Sequence, residues 1–188
     1  MKLKALALAL SMFPLAGMAQ AELYEDMPPL CLGHVVPADL TGDYTFSTGS
    51  LALRVNGQPM SPDKGGEVPA VLTTNADAPS DLLLTGLPEL PAIHLTQTMA
   101  NDGKDWDLSR APDFELANPE LELVLACDLE DLPALSAQFR TQSQDGYDID
   151  NTFRLVVLEA GWLIGLWEFT AIGTPYPISG LRSIALER

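Results

Sequence analysis

Apolar and polar positions along this chain change over in short steps. Beyond the N-terminal stretch, no long window carries apolar residues at i, i+3, i+4 and i+7, the stripe an amphipathic helix needs. Short apolar or alternating runs lie instead between the chain's 14 glycines and 15 prolines. That pattern predicts strands joined by tight turns. Strands are expected at residues 44–46, 51–56, 68–73, 82–87, 92–99, 121–127, 134–141, 148–159, 162–171 and 178–186. Residues 59–66 read as a loop. Pro69 has no N–H to give to a ladder, which predicts an edge position for the third run.

The last three runs are the clearest. From Phe153 to Leu158 the chain is apolar on both faces, with Arg154 the interruption, and 162–169 is again largely apolar on both sides. Strands covered on both faces belong in the middle of a layered structure. Glu159-Ala160-Gly161 and residues 173–177 supply the turns between them. The expected fold class is all-β: an antiparallel meander forming a single sandwich or small up-and-down barrel. Two segments echo each other, Leu87-Pro88-Glu89-Leu90-Pro91-Ala92 and Leu129-Glu130-Asp131-Leu132-Pro133-Ala134. Each leads through a Thr-Gln to an acidic tip of the form D-G-x-D-x-D, which predicts a duplicated hairpin unit. The Gly42-Asp43-Tyr44 opening followed by a meander resembles lipocalin-like proteins. Their Gly-x-Trp signature is absent, so the resemblance implies architecture and carries no site residues.

The first residues have a different character. Lys2 and Lys4 precede an apolar stretch at 5–15, and Ala19-Gln20-Ala21 gives the small-x-small pattern of signal cleavage. Residues 1–21 are therefore expected to be a cleaved signal peptide. Residues 22–40 are expected to be an extended Pro-rich lead-in, and residues 41–188 a single β domain. Leu15-Ala16-Gly17 is followed by Met18 where lipidation requires Cys, so no lipid anchor is expected. The predicted location is periplasmic or secreted. Cleavage takes two lysines and no acid with it, moving the net charge from −16 to −18. A surface this acidic repels a phosphate backbone and an anionic membrane, which argues against nucleic acid and membrane partners.

Two cysteines, Cys31 and Cys127, in an oxidising compartment predict one disulfide pinning the lead-in to the middle of the domain. The acidic tips Asp102, Asp105, Asp107 and Asp145, Asp148, Asp150 present oxygen ligands at alternate extended positions, the pattern a calcium site would use. Neither follows the EF-hand order, and no cofactor other than calcium is expected. His94 should stand on the exposed face of its strand. His34 and His94 lack the patterned partners of a zinc site. There is no nucleophile elbow and no phosphate-binding glycine loop. Glu168, in an otherwise apolar strand, is expected at a rim or paired with Arg154. Trp162, Trp167 and Phe169 are candidate pocket residues, although Trp162 and Trp167 fall on opposite faces of one strand.

With a well-formed apolar meander and no catalytic set, the leading expectation is an exported, acidic, non-enzymatic binding or interaction module. Its partner would be a small apolar ligand or a periplasmic protein. The alternatives are a structural or assembly module working through the acidic tips, and a hydrolase with an unfamiliar site.

Overall fold

The alternating runs form strands, and the strands close on themselves. The computed structural model describes residues 35–60, 63–99, 108–113, 128 and 131–188. Among the described residues there are ten strands: β1 (Gly42–Thr48), β2 (Ala52–Val55), β3 (Gln58–Pro59), β4 (Gly66–Thr74), β5 (Leu82–Thr85), β6 (Ile93–Met99), β7 (Pro133–Gln142), β8 (Asp148–Glu159), β9 (Trp162–Ile172) and β10 (Ile178–Glu187). They make one antiparallel sheet, and a pairing between β1 and β10 seals it into a closed barrel of eight strands. Of the two architectures the sequence left open, the barrel is the one formed. Among the described residues no helix is long and apolar enough to cross a membrane.

β2 and β3 stand outside the ring as a hairpin. Their turn is Asn56-Gly57, both in the left-handed region at φ 51° and 76°, the conformation a two-residue hairpin turn requires. β10 serves both structures. Its residues 184–187 pair with β1, and its residues 178–181 pair with β2. The barrel wall is thus continued sideways by a short flap at one end.

Alternation within each strand sorts the residues. Tyr44, Phe46, Ala70, Leu72, Leu82, Leu84, Ile93, Leu95, Leu135, Ala137, Phe153, Leu155, Val157, Leu163, Ile184 and Leu186 fill the interior. Their neighbours in β8 and β9 are apolar for a second reason. Val156, Leu158, Ile164 and Leu166 face outward and are covered by Leu108, Ala111, Leu132 and Ala134. That outer cover explains why these runs are apolar on both faces. An eight-strand barrel is just wide enough to be filled by its own side chains, and here Phe153 (0% exposed) sits at the centre. Its ring centroid lies 6.1 Å from Phe46, 5.2 Å from Phe139 and 5.2 Å from Trp167.

One end is plugged. Pro37–Leu40 is a turn of 3-10 helix, not the extended segment expected of the lead-in, and it buries Leu40. The Tyr44 hydroxyl shares its one proton between the carbonyls of Leu40 (2.8 Å) and Ala160 (3.0 Å). Arg188 lies 5.6 Å over the Tyr44 ring. Its guanidinium donates to the carbonyls of Thr41 (2.9 Å), Ala160 (2.9 Å) and Asp39 (3.5 Å).

Pro69 is not on an edge strand, because β4 pairs with both β1 and β5. The reason it is tolerated is local. The β4–β5 ladder ends at Val71↔Thr85. Gly86, at φ 90°, then turns away so close to the Pro69 carbonyl that a Cβ there would come within 3.1 Å of it. In a strand the N–H and C=O of one residue point to the same side, so the donor Pro69 lacks would have faced a partner that has already left.

Several expectations fall on residues outside those described: the signal peptide, His34, the strand at 121–127, and the disulfide Cys31–Cys127. Only parts of the repeated unit can be compared. In the first copy Pro91 lies in the connection before β6, whereas its counterpart Pro133 already opens β7.

Candidate functional site

The end of the barrel opposite the plug is built from the β5–β6 turn, the β7–β8 turn and the β9–β10 loop. A cup of about 310 Å³ opens there. Pro88, Glu89 and Leu90 form one wall, residues 141–144 another, and Ile149, Asn151, Trp167 and Phe169 the floor and far side. The floor continues into the aromatic cluster, because Trp167 touches both cup and core. Glu89 is left-handed at φ 63°, a conformation that costs a non-glycine residue about 1 kcal/mol. Such outliers gather at ligand clamps.

Asn151 organises the floor. It is the buried polar residue of the barrel, 3% exposed, and it stands in β8 on the same face as Phe153. Its side-chain amide donates to Thr141 Oγ1 and to the Ile149 carbonyl, both at 3.0 Å, and its Oδ1 accepts from Trp167 Nε1 at 3.0 Å. A buried indole N–H or amide left without a partner would cost about 1–3 kcal/mol. This network removes that cost and fixes the indole plane at the same time.

Arg182 adds a largely buried cation. Alternation places it on the inner face of β10 with Gly180, Ile184 and Leu186. It pairs in register with Trp167, and its guanidinium lies 5.7 Å over that ring. Its side chain is 14% exposed. Among the described residues, neither Nε nor Nη2 has a hydrogen-bond partner. Among the described residues its ion-pair partner is the Asp63 carboxylate, 3.7 Å from Nη2 and itself 76% exposed. Burial pulls the Arg182 pKa below its ordinary value, and Asp63 only partly opposes this. Beside it, the Phe169 ring lies directly over Gly180, where a Cβ would come within 2.3 Å of the ring carbons. Only glycine lets the Phe169 ring rest there, against the cup.

Of the three candidate pocket residues, Trp167 and Phe169 share the cup. Trp162 does not: it is exposed at the plugged end, beside Glu159, Gly161, Glu187 and Arg188. The acidic tip of the β7–β8 turn is placed but not assembled. Asp145 is exposed in the turn. Asp148 and Asp150 lie on either side of Arg140, at 3.6 Å from Nη1 and 2.7 Å from Nε, and Asp150 holds the Arg140 pKa above its usual value. Among the described residues no three acidic, histidine or cysteine side chains gather as a metal site would need. Asp102, Asp105 and Asp107 fall outside the described residues. His94 is exposed and lies 3.2 Å from Asn75 Nδ2.

A second, larger hollow of about 740 Å³ runs along the outside of the barrel between β2 and the outer faces of β8, β9 and β10. Glu168 lies in it, 2.8 Å from Arg110 Nη2 and 3.2 Å from Arg154 Nη1. The pairing of Glu168 with Arg154 is the one the sequence suggested.

No protein family, curated protein or solved structure matches this chain.

Proposed function

We propose that this chain is an exported, non-enzymatic binding module that holds one small, largely apolar molecule in the cup at the open end of its barrel. The single observation that carries the reading is the division of the interior. Most of the barrel is packed solid with side chains. At the mouth, a hollow of about 310 Å³ is walled by Trp167, Phe169, Ile149 and Leu90, with polar atoms of Thr141 and Gln142 at its margin. Apolar walls with a few fixed polar groups are the usual make-up of a ligand site, and the volume is at the small end of the range. The Asn151 network keeps the floor in place before any ligand arrives, and preorganisation lowers the cost of binding.

Export rests on the leader pattern of residues 1–21 and on the two cysteines that an oxidising compartment would join. Fractionation of cells carrying the full gene should place a processed chain starting at Glu22 outside the cytoplasm, with both thiols resistant to alkylation until reduced.

The binding reading is tested by tryptophan emission. Titrating the purified protein with an apolar fluorophore and with dodecanol should change the Trp167 signal saturably. Trp167→Phe should remove most of the change, while Trp162→Phe should leave it. If no apolar probe alters emission, and no small molecule travels with the protein in native mass spectrometry, the reading is wrong.

A further inference from the structure

We infer that the ligand of this cup carries a positive charge, and that the Glu89 carboxylate receives it at the rim. This rests on the binding reading above and gives it a chemical class: a small amphipathic amine, its ammonium at Glu89 and its apolar body against Trp167 and Phe169.

Of the described residues that line the cup, Glu89 is the one with an acidic or basic side chain. It is exposed, and among the described residues it makes no hydrogen bond and no ion pair. A carboxylate open to a hollow is an acceptor for what enters the hollow. The rest of the lining is apolar groups, amides and hydroxyls, so a cation that reaches Glu89 meets no opposing charge there. Arg182 is not part of the lining, and the nitrogens it leaves unmatched are buried. It offers a ligand in the cup nothing to bind.

The β5–β6 turn holds Glu89 in place at a cost. The Leu90 N–H closes on the Leu87 carbonyl at 3.3 Å, with Pro88 and Glu89 as the central pair. A turn with proline first and a positive φ second favours Gly or Asn at the second place. Glu89 stands there instead, at φ 63°. Glycine would hold the same backbone without strain, so the turn itself has no need of a carboxylate. A cationic ligand gives the side chain a use that the turn does not.

The surroundings carry the same sign. The facing wall, residues 141–144, runs directly into Asp145, which is exposed. Arg140, in the same hairpin, is already engaged by Asp148 and Asp150. With 26 acidic residues against 10 basic ones, the chain as a whole draws cations and repels anions.

Octylamine, octanol and octanoate share one tail and differ in charge; the amine, like lysine, is protonated at neutral pH. They are titrated into the purified protein at low salt and followed by calorimetry and tryptophan emission. The amine should bind about two- to fivefold more tightly than the alcohol, the gain of one exposed ion pair, and octanoate should bind more weakly than either. Glu89→Gln should bring the amine down to the affinity of the alcohol and leave the alcohol unchanged. Glu89→Gly should lose the same preference without loss of stability, because relief of the positive φ offsets the added freedom of the unfolded chain. Glu187→Gln changes the net charge equally at an exposed position of the plugged end, and should keep the preference. Equal binding of amine and alcohol by wild type, tighter binding of octanoate, a preference that outlasts Glu89→Gln, or its equal loss in Glu187→Gln would each overturn the anchor and leave the cup standing. Failure of all three to bind would overturn both.

Discussion

The two ends of this barrel each place an arginine over an aromatic ring, and they treat it in opposite ways. At the plugged end Arg188 lies 5.6 Å over Tyr44 and gives its hydrogen bonds to three main-chain carbonyls. At the open end Arg182 lies 5.7 Å over Trp167, is more deeply buried, and leaves one edge unmatched. The same pair of residue types thus makes a closed joint in one place and an unfinished one in the other. Native proteins rarely leave buried donors unpaired, and exceptions cluster where something else completes them. The difference separates a joint whose donors are matched from one whose donors, among the described residues, are not.

The most damaging change should fall on the closed joint. Tyr44 is 4% exposed and ties the 3-10 turn to the β8–β9 turn through its hydroxyl. Tyr44→Ala removes a buried ring as well as those bonds. It should lower stability by about 3–5 kcal/mol in urea denaturation, and a loss below about 1 kcal/mol would mean that the plug is ornamental.

The sharpest form of the comparison is the same substitution at both arginines. Arg188→Met leaves the carbonyls of Thr41 and Asp39 without their donor and should cost about 1.5–3 kcal/mol. Arg182→Met removes a buried charge whose Nε and Nη2 have no hydrogen-bond acceptor among the described residues. Burying a charge without full pairing is unfavourable, so the ligand-free protein should be unchanged or more stable by up to about 2 kcal/mol. Opposite signs at the two ends, read from urea midpoints, would support the division. Equal losses would erase it.

Asn151 tests the open end from within. Asn151→Leu keeps the branched outline of the side chain but leaves Trp167 Nε1 and Thr141 Oγ1 without their Asn151 partner. Stability should fall by about 1–3 kcal/mol, and the Trp167 emission maximum should broaden or shift as the indole loses its fixed plane. A variant as stable as wild type, with unaltered emission, would show that the floor is held by packing alone.

Much of this contrast was hidden in the sequence, although the fold was not. β8 begins and ends where the sequence predicts, and β9 and β10 each run one residue past their predicted ends, because alternation and the turns at 160–161 and 173–177 are local signals. Barrel closure is not local. The β1–β10 pairing joins the first and last strands, and no nearby residue announces it. Pro69 misled for a related reason: a proline shows that a donor is missing, but not how far the neighbouring strand extends. Trp167 and Phe169 could be picked as pocket residues by their size and their shared face, whereas Trp162 has the size and the wrong face. Arg182 and Asn151 went unnoticed because a polar residue within a strand suggests a surface position. The signal was present in the register. Arg182 shares its face with Ile184 and Leu186, and Asn151 shares its face with Phe153 and Leu155. A polar residue in phase with the inward set marks either strain or a site.

The smallest effect expected is also the most specific to the closed joint, and it is read from pH. Burial raises the Tyr44 pKa above its ordinary value of 10.0, and Arg188 only partly offsets this. The folded protein therefore keeps the phenol proton at pH values where the unfolded chain gives it up. The resulting stability is fully present below the unfolded-state value and is lost as pH rises through the folded-state one. Tyr44→Phe keeps the ring and removes the proton. The variant should be less stable than wild type by about 1–2 kcal/mol at neutral pH, because the Leu40 carbonyl loses its donor. That gap should hold to about pH 10 and then narrow, at no more than about 1.4 kcal/mol per pH unit for one proton. Because the remaining tyrosines, lysines and arginines titrate alike in both proteins, the difference between the two urea curves isolates Tyr44. A gap that stays constant through the alkaline range would place the hydroxyl in water and leave the plugged end no better sealed than the open one.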